Sequence, residues 1–168
     1  MLDAARGLDV QAIRLNDIAR AAGVGVGTVY RHFPTVQALV EALATDTLVR
    51  LHELARMAEA ETDPGKALED LIRATVALQL EDGGLQRVLL AADVAPETRA
   101  LRRDVHARLA GVLDRAVAAG VVRPDLTPTR VQHLLCGVEH AVRVGSPDDR
   151  DFYTDIALTG LRPQATVV

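Results

Sequence analysis

Apolar side chains at Leu39, Val40, Leu43, Leu48, Leu51, Leu54, Ala55 and Ala58 recur at steps of three and four residues. That spacing predicts a long amphipathic helix from about Val36 to Ala60. Asp63, Pro64 and Gly65 interrupt the pattern, with Asp63 placed as an N-cap and Pro64 as the first helical residue. Leu68, Leu71, Ile72, Thr75 and Leu78 repeat the stripe until Asp82, Gly83 and Gly84 stop it. A short apolar helix is expected from Leu85 to Ala92. Pro96 opens the next, where Leu101, Val105, Leu109, Val112, Leu113 and Ala116 lead to a stop near Gly120. Val121 to Thr127, with Pro124, reads as a connection. Pro128 starts a further helix striped by Val131, Leu134, Leu135, Val138 and Val142 and ended by Gly145. Ser146, Pro147 and Asp148 form a turn before a last helix from about Arg150 to Leu161, halted by Pro163. No stretch alternates apolar and polar residues between turn signals, so the expected class is all-α with no sheet.

Composition points the same way. The 168 residues include 27 Ala and 23 Leu, the strongest helix formers, and 49% apolar against 25% charged residues excludes global disorder. The longest apolar run without glycine, Val88 to Ala92, is far too short to span a membrane. Met1 to Arg6 shows no basic stretch leading into an apolar one, and Cys136 is the only cysteine. A cytoplasmic location without a signal peptide or disulfide is therefore expected. The net charge of −4 argues against coating nucleic acid by bulk electrostatics. It is unevenly spread: residues 1–45 carry four bases and four acids, so the rest of the chain holds the whole excess. A neutral head on an acidic body leaves room for a local nucleic-acid site.

The chemistry-bearing stretch lies in that head. Asp17 to Ala22 predicts a short helix, with Asp17 favoured in the first turn by the helix dipole. Gly23 allows a tight turn, and Val24 is placed to fill the angle before a second short helix from about Gly27 to Phe33, ended by Pro34. Ile18, Ala22, Val24 and Val29 would form the apolar seam of this helix-turn-helix, with Ala19 small enough for close crossing. The second helix then exposes Thr28, Tyr30, Arg31 and His32. These are groups suited to DNA: arginine to phosphate or guanine, hydroxyl and imidazole to phosphate oxygens, the tyrosine ring to a thymine methyl. Gly25 and Gly27 leave the helix start bare, so its backbone donors can approach phosphates.

The run from Ile18 through Ala19-Arg20-Ala21-Ala22-Gly23-Val24-Gly25-Val26-Gly27-Thr28-Val29-Tyr30-Arg31-His32-Phe33-Pro34, followed by Leu39, resembles the signature of the TetR family of transcriptional regulators. The likeness is specific from about Leu15 to Leu43 and architectural beyond it. It implies a DNA-binding domain over residues 1–45 and a helical ligand-binding and dimerisation domain over 46–168. It also implies a homodimer on a palindromic double-stranded operator, a repressor released by a small molecule. Carried over by position, Thr28, Tyr30, Arg31 and His32 face DNA and Phe33 packs. Two positions differ from the family's usual pattern. Val36 stands near where a basic residue is common, and only Met1 to about Leu8 precedes Asp9 and Val10, where a first helix belongs. These motivate a competing reading, a helical small-molecule binder with weakened or lost specific DNA binding.

Other signals have plainer explanations. Gly23-x-Gly25 lacks a glycine three residues on and follows a helix, which argues against dinucleotide binding. Arg31 and His32 could line a solvated face, and Tyr30 could pack on the long helix. His133 and His140, seven apart beside Glu139, suit core or interface histidines better than a metal site, so no metal or cofactor is expected. Cys136 falls in an apolar stripe and reads as a buried small hydrophobe. Arg102 and Arg103 read as surface coat. Ser146 is the only serine and sits in a turn, and no acid–base pair stands out, so the chain is not expected to be an enzyme. Polar contacts to an otherwise apolar effector are assigned to Arg73, Gln79, His106 and Glu139. The dimer seam is assigned to Val131, Leu134, Leu135 and Val138 on one helix and Phe152, Tyr153 and Ile156 on the next.

Overall fold

The computed structural model describes residues 14–163. The expectation about Met1 to Val10 therefore lies outside the described residues. Those described form eight α-helices and no strand: α1 Leu15–Ala21, α2 Val26–His32, α3 Val36–Ala60, α4 Pro64–Glu81, α5 Gly83–Leu90, α6 Pro96–Ala118, α7 Pro128–Val144 and α8 Arg150–Leu161. A 3₁₀ turn, Pro147–Asp149, lies where the turn before the last helix was expected. No helix among the described residues is long and apolar enough to cross a membrane.

The chain packs as two compact units. One holds the described residues up to Val49 together with Asp82–Arg102, and the other holds Arg50–Glu81 with the chain from Arg103 onward. The first is built on a small seam of Leu15, Ile18, Ala19, Val29 and Leu39, against which Phe33, Val36 and Leu43 pack. Val24 does not fill this seam as its position suggested; it stays at the surface, 36% exposed. The reason is the turn itself. Gly23, at φ +65°, donates its N–H to the Arg20 carbonyl, and Val24 donates to the Ala19 carbonyl. This pair of bonds is the Schellman closure of a helix C-terminus, and it turns Val24 outward once α1 has ended. Gly120, at φ +69°, closes α6 in the same way through the Val117 and Ala116 carbonyls.

Helix α5 begins two residues before its predicted start because Asp82 caps it. The Asp82 carboxylate accepts the Gly84 N–H at 2.9 Å and the Thr47 hydroxyl of α3 at 2.7 Å. A Cβ on Gly84 would lie 3.0 Å from that carboxylate and 3.5 Å from Val40 and Ala44, so the approach of α5 to α3 needs glycine there. Arg102 is not surface coat. It donates to the Val88 and Ala91 carbonyls, at 3.1 and 2.6 Å, at the end of α5.

The second unit has an aliphatic core drawn from Ala55 and Ala58 of α3, Leu68, Leu71, Ile72 and Val76 of α4, Val112 and Leu113 of α6, Leu135 and Val138 of α7, and Ala157 and Leu161 of α8. Helix α4 packs on both α7 and α8, which pack on each other. Asp63 caps α4 as expected, accepting from the Gly65 and Lys66 amides at 2.8 and 3.0 Å.

Replacing Asp82 by Ala should cost about 0.5–2 kcal/mol, the usual price of a lost N-cap, whereas Asp70→Ala, which removes only a solvent-exposed partner of Lys66, should stay within about 0.5 kcal/mol. Urea titrations followed by circular dichroism compare the two; equal losses would refute the structural role of Asp82.

Candidate nucleic-acid interface

Helix α2 is oriented by one residue. Val29 is completely buried in the seam, and Phe33, just past the helix, packs beside it. With Val29 turned in, the helical period carries Tyr30 to the flank and Arg31 to the opposite side, while His32, one turn after Val29, is the last residue of the helix. All three are exposed, Tyr30 by 47%, while Thr28 is half-buried. Neither Arg31 nor Tyr30 pairs with any described residue, so the guanidinium and phenol are available to an outside partner. Arg20 of α1, by contrast, faces Asp17 at 3.4 Å.

The start of α2 is open. Gly25 is its N-cap with no side-chain capping bond, and its carbonyl accepts the first helical amides, from Thr28 and Val29. Nothing lies within 4 Å of where a Cβ on Gly27 would be. Arg31 stands four residues after Gly27, on the same side of the helix, so its long side chain has no neighbour one turn before it. Val26 was missed in the sequence. It is 45% exposed and shares a face with Tyr30 at i and i+4. The signal was legible in principle, since a valine four residues before a tyrosine at a helix start is an apolar edge, but it was masked by expecting α2 to begin at Gly27.

Pro34 and Thr35 separate α2 from α3. The Thr35 hydroxyl accepts the Ala38 amide at 3.0 Å and its carbonyl accepts the Leu39 amide, so this residue caps the long helix. Val36 packs on the seam, which explains an apolar residue at that position.

The four residues assigned to effector contacts are placed differently from one another. Arg73 is engaged in ion pairs with Glu69 at 2.9 Å and Asp155 of α8 at 2.7 Å. The bond to Asp155, then that to Glu69, raises its guanidinium above the usual arginine value. His106 is exposed on α6. Glu139 is buried on α7 and pairs with Arg143, whose guanidinium also donates to the Gln79 carbonyl at 2.7 Å. Gln79 itself is completely buried on α4. The structure thus joins Glu139 to the main chain of Gln79 through Arg143, an arginine the sequence reading passed over, and leaves Arg73 in a surface ion-pair network.

The residues assigned to the dimer seam also divide. Leu135 and Val138 turn inward to the unit's own core, and Val131 and Tyr153 pack against it. Leu134, Phe152 and Ile156 face outward, 38%, 61% and 56% exposed, joined by Val144. One helical stripe cannot serve both faces: Leu135, Val138, Glu139 and Val142 mark the inward side of α7. Cys136 falls at the flank of that stripe and is half-buried rather than buried. His133 and His140 are exposed, and no group of three or more metal-ligating side chains occurs among the described residues.

Residues 2–43 match the family model for bacterial regulatory proteins of the tetR family. Residues 63–163 match that for the C-terminal domain of SbtR-like transcriptional regulators. Among solved structures, the TetR transcriptional regulator SCO0520 from Streptomyces coelicolor is 31% identical, with 98% of this chain and 97% of that one covered and a TM-score of 0.59. A TetR transcription regulatory protein from Mycobacterium vanbaalenii is 36% identical over 96% of this chain and 90% of its own, with a TM-score of 0.50. FadR from Bacillus subtilis, a transcriptional regulator solved in complex with stearoyl-CoA, shares the fold at 15% identity, covering 96% and 97% of the two chains with a TM-score of 0.63. No curated protein matches the chain. With both halves matched by family models and a regulator of the same family aligned along nearly its whole length, the chain belongs to the TetR family of transcriptional regulators.

Proposed function

We propose that this chain is a repressor that binds a palindromic operator as a homodimer and releases it when a small, largely apolar effector binds the helical domain. The observation that carries the reading is the outward set on α2: Tyr30, Arg31 and His32 exposed around a buried Val29, behind a bare start at Gly25 and Gly27. In the major groove, Arg31 suits guanine or phosphate, His32 and Thr28 suit phosphate oxygens, and Tyr30 suits a thymine methyl. The roles divide along the chain as a reading head over residues 1–45 and a sensing and pairing domain over 46–168.

A dimer must set its two reading helices about one DNA turn apart, roughly 34–36 Å, to enter successive major grooves. Leu134, Phe152, Ile156 and Val144 supply an outward apolar face for that pairing. Helix α3 is the covalent path from the head into the sensing domain, and Thr35 and Pro34 are its junction with α2. An effector that favours a misaligned dimer by about 1–3 kcal/mol would lower operator affinity roughly 5–150-fold. The competing reading, an effector binder that has lost specific DNA recognition, draws on Val36, which packs on the seam where a cation would reach phosphate.

Selection of bound duplexes from a random pool separates the two readings. The expected outcome is enrichment of a palindrome that is abolished in Tyr30→Ala, with Arg31→Ala weakening the selected duplex by about 1–3 kcal/mol. Salt-sensitive binding without enrichment would favour the competing reading. The assembly is checked separately by light scattering at micromolar concentration. A dimer is expected for the unaltered chain and a monomer for Ile156→Glu; a monomeric unaltered chain would sink the assigned seam.

A further inference from the structure

Gln79 is completely buried on α4, yet neither its amide nitrogen Nε2 nor its amide oxygen Oε1 has a hydrogen-bond partner among the described residues. Buried polar atoms are nearly always paired, and each one left unpaired costs stability, so such a group calls for an explanation. Two buried polar side chains linked to it, Thr75 along α4 and Glu139 through Arg143, are engaged elsewhere. Thr75, one turn earlier, donates its hydroxyl to the Leu71 carbonyl at 2.7 Å. Glu139 is taken up by Arg143, and the same guanidinium donates to the Gln79 and Leu80 carbonyls at 2.7 and 3.3 Å. The Gln79 and Leu80 carbonyls at the end of α4 are therefore satisfied, and the Gln79 side chain is not. Ile72, Thr75 and Val76 precede Gln79 by seven, four and three residues and are all buried, so the amide terminates an otherwise apolar stripe.

We propose that Gln79 is the polar anchor of the effector site, and that the effector carries a neutral amide-type group on an aliphatic body. This rests on the effector-responsive reading above and names the chemistry of that site. The amide oxygen only accepts and the amide nitrogen only donates, so a group offering a donor and an acceptor side by side satisfies both at once. A primary amide does this. An ester offers acceptors alone and leaves Oε1 unpaired. A carboxylate also lacks the donor, and it brings a charge into a site whose nearby guanidinium is already neutralised by Glu139.

Two measurements without DNA test the assignment. In the first, ligand-free Gln79→Leu and Gln79→Met are melted beside the unaltered chain. Removing an unpaired buried amide should raise the midpoint by roughly 2–4 °C, the shift a domain of this size shows for one lost penalty of that kind. In the second, octanamide and methyl octanoate are titrated into the unaltered chain by calorimetry. Octanamide should bind about tenfold more tightly than the ester, and Gln79→Leu should erase that preference. Lower melting of both variants would assign Gln79 a structural role and overturn the proposal. Affinities for the two probes that do not differ, undetectable binding of both included, would overturn it as well. Operator release enters neither measurement, so a chain that binds octanamide through Gln79 but fails to release DNA would refute the regulatory reading alone.

Discussion

Every α-helix ends in four carbonyls that have no partner within the helix, and a fold made only of helices must dispose of all of them. Three helices here pass theirs to arginines from elsewhere in the same unit. Arg102 takes the end of α5, Arg115 donates to the Ala58 and Glu61 carbonyls at the end of α3, and Arg143 takes the end of α4. Each is a charge-assisted bond, worth about 1.5–3 kcal/mol, made where an unpaired buried carbonyl would cost about 1–3 kcal/mol. Because the guanidinium forks reach two carbonyls each, the helix ends can lie close against neighbouring helices instead of opening to water. The aliphatic cores can then close around them.

This explains how much of the molecule could be read in advance. Helix existence followed from apolar spacing, and α3 and α8 were placed at their observed limits because Pro34, the Asp63-Pro64-Gly65 break, the Ser146-Pro147-Asp148 turn and Pro163 bracket them locally. What spacing could not reveal was the partner of each arginine. Arg102 and Arg143 are separated from the carbonyls they bind by 11 to 64 residues, so their roles exist only after the helices are packed. The same holds for Asp82, whose bond to Thr47 is invisible in its own neighbourhood of the chain. Leu135 and Val138 were assigned to the dimer seam because an apolar stripe does not say which neighbour covers it.

The candidate interface was the more legible part, since its chemistry is contiguous. Thr28, Tyr30, Arg31 and His32 lie within five residues, and the burial of Val29 between them fixes where Tyr30 and Arg31 point. The proposed effector contacts are the opposite case. They were spread over Arg73, Gln79, His106 and Glu139, and only three-dimensional packing distinguished a paired Arg73 from an unpaired Gln79. An unpaired buried amide costs stability, and nothing in the chain around Gln79 announces it.

The scarcity of aromatic rings has an optical consequence. The chain has no tryptophan, so its fluorescence comes essentially from two tyrosines. One, Tyr30, stands on the exposed face of α2 in the first unit, and the other, Tyr153, lies half-buried in the second beside the Phe152 ring, 5.4 Å away. Each unit thus carries a single tyrosine. Each unit therefore has a native tyrosine reporter, and a phenylalanine at either position silences one so that the other is read alone.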